Sequence, residues 1–284
     1  MYKSIKIIPK LDAIDHPFVQ DIIAIIKQAA EQCHVTINKF GGTRDTLFIA
    51  VGGDGTMLEA MREASLFGGA AFAINLGHVG FLTEVSIPQR DVAMSNIVQA
   101  ELFGLIVNVI EQTGTWEEER ILLTGKGFSD REAEVVACNE FSISRDVSDS
   151  MIFYRLFINN IDGGVHRANS LVISTPTGST AYSLSGGGAL MFPNIEAFQI
   201  VPIAPMTMTA RPIIVGGKAD IKVHVWGGNV VVRADGRICS EETAKDAPSA
   251  VEYSFTNGDK TRVIHFDGWN FFEVLADKFG WNKF

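Results

Sequence analysis

The chain has 284 residues, 46% hydrophobic and 20% charged, which suits a folded protein of about two domains. Its formal net charge is −9, so a nucleic-acid or anionic-membrane surface, which calls for a basic stripe, is not expected. Cys33, Cys138 and Cys239 stand far apart, without the spacing of a zinc site, and read as reduced, buried thiols.

The opening residues, MYKSIKIIPKLDA, lack an apolar signal core and a cleavage site, and no apolar run approaches the roughly 18 residues that span a bilayer. A cytoplasmic chain is expected. SIKIIP (4–9) reads as a short strand. FVQDIIAIIKQAAEQC (18–33) places Val19, Ile22, Ile23 and Ile26 at helical spacing, with Pro17 near its start. TLFIAV (46–51) is a continuous apolar run, the pattern of a strand buried on both faces. Thr56 to Phe67 reads as a helix, AFAINLG (71–77) as a strand and QRDVAMSNIVQAELF (89–103) as a helix. Strands alternating with helices predict a parallel sheet with right-handed crossovers.

The character changes near residue 104. LIVNVIE (105–111), RILLT, EVVACNEFSIS, MIFYRLFI, SLVIST, IKVHVW and NVVVRAD follow one another as strand-like segments separated by turn signals. WNFFEVLADKFGW (269–281) turns helical, with Phe272, Leu275 and Phe279 on one stripe. The expected domains are therefore 1–103, α/β; 104–267, mostly β; and a C-terminal helix, 268–284, that returns to the first domain. SRDVSDS (144–150) is expected as an exposed turn and SEETAKDA (240–247) as a solvated loop.

The first candidate site is LFIAVGGDGTMLEAMREA (47–64), where five apolar residues run into Gly52-Gly53-Asp54-Gly55-Thr56. At the carboxyl end of a buried parallel strand a ligand crevice opens, and glycines let the backbone approach a ligand closely. The N–H groups of Gly53, Gly55 and Thr56 are candidates to face a phosphate at the head of the next helix. Asp54 would repel a phosphate. It suits either a base that takes a proton from an attacking hydroxyl, or a holder of Mg²⁺. The plainer reading is a strand–helix turn with aspartate as a helix cap. The turn is neither a P-loop nor a dinucleotide G-x-G-x-x-G fingerprint.

The second candidate site lies in the β region. ACNEFSISRD puts Asn139 and Glu140 side by side, and adjacent strand residues face opposite sides. An unpartnered buried Glu is costly, so the pair fits a cleft edge where the strand ends or bulges, offering an amide and a carboxylate to sugar hydroxyls. In HRANSLVISTPTGSTAYSLSGGGALMFP (166–193) a strand runs into Pro176-Thr177-Gly178-Ser179-Thr180-Ala181-Tyr182. Small hydroxyl residues make a hydrogen-bonding wall, and Tyr182 offers a flat face to an adenine ring. Gly186-Gly187-Gly188 again allows close backbone approach.

Together these stretches resemble the NAD kinase family: the Gly-Gly-Asp-Gly-Thr turn, NLGHVGFLTE (75–84), Asn139-Glu140, STPTGSTAYSLS (174–185) and TARPIIV (209–215), in the expected order. The glycine–aspartate turn alone is also similar to that of diacylglycerol kinases, sphingosine kinases and phosphofructokinases. The resemblance implies an α/β N-terminal domain plus a mostly-β, β-sandwich-like C-terminal domain, with the site between them. It implies transfer of phosphate from ATP, with Mg²⁺, to the 2′-hydroxyl of the adenosine ribose of NAD. It also implies a homotetramer or homodimer and no tightly bound organic cofactor. By the same resemblance Asp54 is the base. Gly52, Gly53, Gly55 and Thr56 form the turn, and Asn139 and Glu140 hold adenine and ribose groups. Thr177, Thr180, Ala181, Tyr182 and Ser185 line the adenosine pocket, and Arg167 lies near the dinucleotide. Asn169-Ser170 departs from the family's Asp-Gly at that place; Asn169 keeps an acceptor oxygen but loses the charge. Two alternatives stay open: a lipid kinase of the diacylglycerol type, and a dinucleotide-binding protein with weak turnover. His78 and His166 lie near these motifs without a partner readable from sequence.

Overall fold

The computed structural model describes residues 1–77, 80–87, 94–128, 134–146 and 151–281. The chain divides into two compact units: Met1–Glu119 with Lys260–Phe284, and Arg120–Asp259. Among the described residues no helix is long and apolar enough to cross a membrane.

Unit 1 alternates strands and helices: β1 (Ser4–Pro9), α1 (Pro17–Gln32), β2 (Thr36–Ile37), β3 (Thr46–Val51), α2 (Asp54–Phe67), β4 (Ala70–Asn75), β5 (Val85–Ser86) and α3 (Asn96–Glu111). Pro17 opens α1 at a position where its missing N–H costs nothing, and His16 Nδ1 accepts the Phe18 N–H at 3.2 Å. β1 pairs in parallel with β2 and β3, and β3 with β4. Every residue of β3 is buried, as its unbroken apolar run predicts. Leu47, Ile49 and Val51 join α1 and α3 in one core. Phe48, on the opposite face, stacks on Phe67 of α2.

One sequence expectation fails here. LIVNVIE (105–111) is the second half of α3, not a strand, so the boundary expected at residue 104 falls inside a helix. Its β-branched residues favour strands, but Leu102, Ile106, Val109 and Ile110 are buried at helical spacing, and burying that face outweighs the small propensity penalty.

β6 (Thr115–Lys126) starts in unit 1 and continues in unit 2. There follow β7 (Val135–Ala137), β8 (Glu140–Arg145), β9 (Ile152–Ile158), β10 (Ile161–Ser174), a short helical turn α4 (Tyr182–Ser185), β11 (Ala197–Pro205), β12 (Ile213–Gly216), β13 (Ile221–Trp226), β14 (Gly228–Ala234) and β15 (Arg237–Ala244). β16 (Val251–Phe266) begins in unit 2 and ends in unit 1. In unit 2 the order is β15-β14-β8-β10-β9-β13-β16, each neighbour antiparallel, with β11 and β12 added beside β10. Inward residues such as Phe141, Phe198, Tyr253 and Phe255 fill its core. SEETAKDA, expected as a loop, is strand through Ala244, with Ser240 and Ala244 buried and Glu241 exposed. SRDVSDS starts as strand through Arg145, and its residues 147–150 lie outside the described ones.

The last residues of β16, Arg262 and Val263, pair in parallel with Ala70 and Ala71 of β4 in unit 1. α5 (Phe271–Phe279) buries Leu275, as expected, but Phe271 in place of Phe272, and Phe272 and Phe279 are exposed.

Candidate active site

Unit 1 holds the glycine turn. The Gly52 N–H donates to the Ile74 carbonyl at 2.9 Å, which ties the start of the turn to β4. A Cβ on Gly52 would lie 2.2 Å from Thr56 Oγ1, so the chain closes there only without a side chain. α2 begins at Asp54, with Gly53 as its N-cap, two residues earlier than expected. The Thr56 N–H is taken by the Gly53 carbonyl at 3.0 Å, which removes it from the expected phosphate cradle. The amides of Gly53 and Gly55 have no partner among the described residues, and both glycines face open space. Unpaired amides at the head of a 14-residue helix make a place for an anion.

Asp54 does not cap its own helix. Its Oδ2 accepts the Phe81 N–H at 2.9 Å and its Oδ1 the Leu82 N–H at 3.2 Å. Gly80 packs so tightly on this carboxylate that a Cβ would meet Oδ1 at 1.9 Å. Asn75 and Thr83 shape the segment that does this. Asn75 Nδ2 donates to Thr83 Oγ1 at 2.9 Å, the Gly80 N–H donates to the same oxygen at 2.8 Å, and the Gly77 N–H donates to Asn75 Oδ1 at 3.0 Å. The residues from Gly80 to Thr83 therefore aim the carboxylate, a task the sequence did not reveal. Each Asp54 oxygen keeps lone-pair capacity for a further donor. His78 lies outside the described residues.

Glu84 closes that segment on a buried brace. It contacts His265 Nδ1 and accepts the Phe266 N–H at 3.0 Å, while Glu118 Oε2 lies 3.2 Å from His265 Nε2. The His265 ring stacks on Trp269 at 4.0 Å. Phe81 lies 5.0 Å from Phe279 of α5.

Unit 2 holds the second cluster. β7 ends at Ala137 and β8 begins at Glu140, so Asn139-Glu140 sits at a break in pairing, although Glu140 itself is buried. The Asn139 carbonyl accepts the Thr175 N–H at 2.9 Å and Ser174 Oγ at 3.3 Å. Thr175 Oγ1 donates to the Cys138 carbonyl at 2.5 Å and accepts the Gly178 N–H at 3.2 Å. A Cβ on Gly178 would sit 2.2 Å from the Asn139 carbonyl oxygen. The glycine thus lets the Thr-Pro-Thr-Gly turn press onto the Asn-Glu turn.

Glu140 is buried, and burial first, then the nearby Asp235 carboxylate, push its carboxyl up to about 7; a hydrogen bond from the Tyr182 backbone N–H opposes this. Its Oε2 and Thr177 Oγ1 are buried with no hydrogen-bond partner among the described residues. Thr180 Oγ1 donates to the Thr177 carbonyl at 3.3 Å, and the Tyr182 hydroxyl lies 3.2 Å from Ser170 Oγ. Tyr182 and Ser185 are exposed and Ala181 is half-buried. Asn139, Glu140, Thr177, Thr180 and Tyr182 therefore come together.

Arg167 and Asn169 share no hydrogen bond with that cluster among the described residues. Both are exposed on one face of β10, where the Arg167 guanidinium lies 5.0 Å from the Phe153 ring centroid. Gly186 and Gly188 serve packing. A Cβ would meet Ile203 Cδ1 at 2.2 Å from Gly186 and Gln199 Oε1 at 2.7 Å from Gly188. His166 stacks on Tyr154 at 5.2 Å, away from these residues' contacts. Sequence reasoning missed Asp235, which binds the amides of residues 138–140; its Asp-Gly dipeptide was legible only as a hairpin turn.

A carboxylate aimed beside open amides at a helix head, and a separate sheet-borne wall with unsatisfied oxygens, define a phosphotransferase of the glycine–aspartate-turn class acting on a nucleoside-sized molecule. Comparison with known proteins narrows this. The family model described as the ATP-NAD kinase N-terminal domain matches residues 14–102, and that of the ATP-NAD kinase C-terminal domain matches residues 138–261. The NAD kinase of Shewanella piezotolerans is 34% identical over 247 residues, covering 85% of this chain and 74% of that protein. The NAD kinase of Thiobacillus denitrificans is 31% identical over 245 residues, covering 85% and 78%. The chain belongs to the NAD kinase family.

Two solved structures share its fold. An NAD kinase from Archaeoglobus fulgidus in complex with ATP has a TM-score of 0.70 at 22% identity, covering 97% of this chain and 98% of that one. Yeast NADH kinase complexed with NADH has a TM-score of 0.76 at 20% identity, covering 100% and 89%. Nothing in these comparisons supports the lipid-kinase alternative.

Proposed function

We propose that the chain makes NADP by moving the γ-phosphoryl group of ATP to the 2′-hydroxyl of the adenosine ribose of NAD. The observation that carries this reading is the pair of buried, unpartnered oxygens on Glu140 and Thr177. Each such group costs about 1–3 kcal/mol when left unmet, and a polar nucleoside would satisfy both. A lipid tail would satisfy neither.

In this reading the ribose oxygen forms a bond to the γ-phosphorus while the bond from that phosphorus to the β–γ bridging oxygen breaks, and its electron pair leaves with ADP. The hydroxyl proton passes to Asp54, whose direction is set by the Phe81 and Leu82 amides. The open amides of Gly53 and Gly55 receive phosphate oxygens. Asn139, Glu140, Thr177, Thr180, Ala181, Tyr182 and Ser185 hold the adenosine, and Tyr182, 41% exposed, has ring face available for a base. Arg167 and Asn169, exposed on β10, serve the more distant part of the dinucleotide.

Mg²⁺ fits as a companion of ATP. Among the described residues no group of three His, Cys, Asp or Glu side chains stands ready to cage an ion. An ATP-borne Mg²⁺ needs few ligands beyond phosphate oxygens and water, which leaves Asp54 for the proton. When bound, the ion offsets phosphate charge.

The same reading includes a cytoplasmic location and a homotetramer or homodimer. Support for assembly comes from the outer strand β12, which among the described residues pairs only with β11 and exposes Ile213 and Ile214. Light scattering of the purified protein reads this directly.

The deciding experiment is a coupled NADP assay with NAD and with NADH, each with ATP and with polyphosphate in the presence of Mg²⁺. NADP or NADPH formation is expected; none with any pair rejects the reading.

A further inference from the structure

Three consecutive backbone amides of unit 2 converge on one carboxylate. The Cys138 N–H donates to Asp235 Oδ2 at 3.0 Å, and the Asn139 and Glu140 N–H groups donate to Oδ1 at 2.7 and 3.3 Å. The link is returned, because the Asp235 N–H donates to the Glu140 carbonyl at 3.0 Å. Sheet pairing brings these residues together: Glu140 stands opposite Ser174 of β10, and the next residue, Phe141, opposite Ala234 of β14. Residues 138 and 139 belong to no strand, so pairing alone does not fix their backbone.

Asp235 has φ +47° and Gly236 φ +78°, and the two residues close β14 onto β15. A two-residue turn of this kind accepts Asn-Gly as readily as Asp-Gly. Asparagine would close the hairpin without setting a second carboxylate against buried Glu140. The charge here opposes Glu140 and favours the three amides, so its benefit falls on the turn that carries Asn139 and Glu140.

We infer that Asp235 is a positioning residue for dinucleotide binding: its carboxylate locks the Asn139–Glu140 backbone so that both side chains meet the nucleoside in a single orientation. The inference rests on the NAD kinase reading above. From the other side the turn is held by Ser174 and Thr175 through the Asn139 carbonyl, so Asp235 is one jaw of a clamp whose other jaw is the end of β10. The groups facing Glu140 are the Asp235 carboxylate from the β14–β15 turn and the Tyr182 backbone N–H from α4.

The test compares the wild type with Asp235→Asn and Asp235→Ala. Asp235→Asn keeps the turn and one acceptor oxygen but removes the charge, and it carries the test if Asp235→Ala does not fold. For Asp235→Asn, KM for NAD rises about ten- to hundredfold, while kcat and KM for ATP stay within a few-fold of wild type. An inflection near pH 7 in kcat/KM for NAD is expected from Glu140 in the wild type, and in Asp235→Asn it moves to lower pH, because the anion beside Glu140 is gone. An unchanged KM for NAD, or a raised one with the inflection unmoved, overturns the inference and leaves Asp235 a hairpin residue. The parent reading fails differently, through a wild type that forms no NADP. In that event amide hydrogen exchange at residues 138–140 still decides: faster exchange in Asp235→Asn supports the lock, and equal exchange removes it.

Discussion

At the head of α2 the groups open to a ligand are backbone amides, those of Gly53 and Gly55, with one side chain, Asp54, held to the side by two further amides. In unit 2 the groups left without a partner among the described residues are side-chain oxygens, those of Glu140 and Thr177, and both are buried. The first arrangement has fixed partial charges that do not titrate and tolerates no Cβ at its tight points. The second is selective because it is costly when empty, and it carries a carboxyl that changes charge near neutral pH. In the proposed function, chemistry and recognition fall to different kinds of group, which makes them separable by mutation.

The largest separation is expected at Asp54. Asp54→Asn keeps the shape and removes the proton acceptor, so kcat falls about 10²–10⁴-fold. NAD affinity stays near wild type, because the proposed adenosine wall belongs to unit 2. Single-turnover kinetics and calorimetric NAD binding on the same variant check both halves of the statement, and loss of binding equal to loss of rate would erase the distinction.

Next comes the brace behind the Asp54 segment. His265→Ala leaves Glu84 and Glu118, with side chains 18% and 6% exposed, facing each other without the ring between them. Leaving buried carboxyl oxygens without a hydrogen-bond partner costs about 1–3 kcal/mol. Urea unfolding should show that loss, and a milder loss in His265→Gln, which keeps polar atoms at the site.

Glu140 sets the third expectation, and its sign is opposite to that of most paired carboxylates. Its carboxyl is raised from 4.5 to about 7 in the folded chain, so the folded state holds a proton that the unfolded state gives up between those values. Glu140 therefore favours folding least above pH 7 and most below pH 4.5, and stability drifts down by at most about 3 kcal/mol as pH rises through the window. Glu140→Gln removes the drift. It should raise the melting temperature at pH 8 while weakening NAD binding, and a variant with unchanged pH dependence would place the raised carboxyl elsewhere.

Much of this was legible in the sequence, and the gaps have physical causes. TLFIAV announces a doubly covered strand because nothing polar interrupts it, and Gly-Gly-Asp-Gly-Thr follows where such a strand must end. The Asn139-Glu140 pair was readable as a break in pairing because a lone buried Glu is too costly to sit in a continuous strand. LIVNVIE was misread because its β-branched residues spoke louder than the spacing of Leu102, Ile106, Val109 and Ile110. In α5, Phe271 and Phe272 are chemically identical neighbours, and only packing decides which turns inward. Which backbone amides Asp54 and Asp235 bind could not be read, since those partners lie 27–28 and 95–97 residues away in the chain.

The smallest effects come from single methyl groups, and they sharpen the contrast most. On Gly178 a Cβ would stand 2.2 Å from the Asn139 carbonyl oxygen, an atom fixed by Thr175 and Ser174 that cannot swing aside. Gly178→Ala should cost about 1–3 kcal/mol of stability, the range for overpacking a tight site, and should raise KM for NAD as the turn is pushed off its partners. On Gly53 the same methyl meets nothing within 4 Å, and φ −89° is allowed to alanine. Gly53→Ala should lose under about 1 kcal/mol, the cost of a poorer helix N-cap. Its kinetic effect should fall on KM for ATP, since the added carbon occupies space that a phosphate needs. Melting curves and both KM values for the two variants give a two-by-two pattern. If Gly53→Ala leaves KM for ATP untouched, the open amides at the head of α2 are not where the phosphates lie.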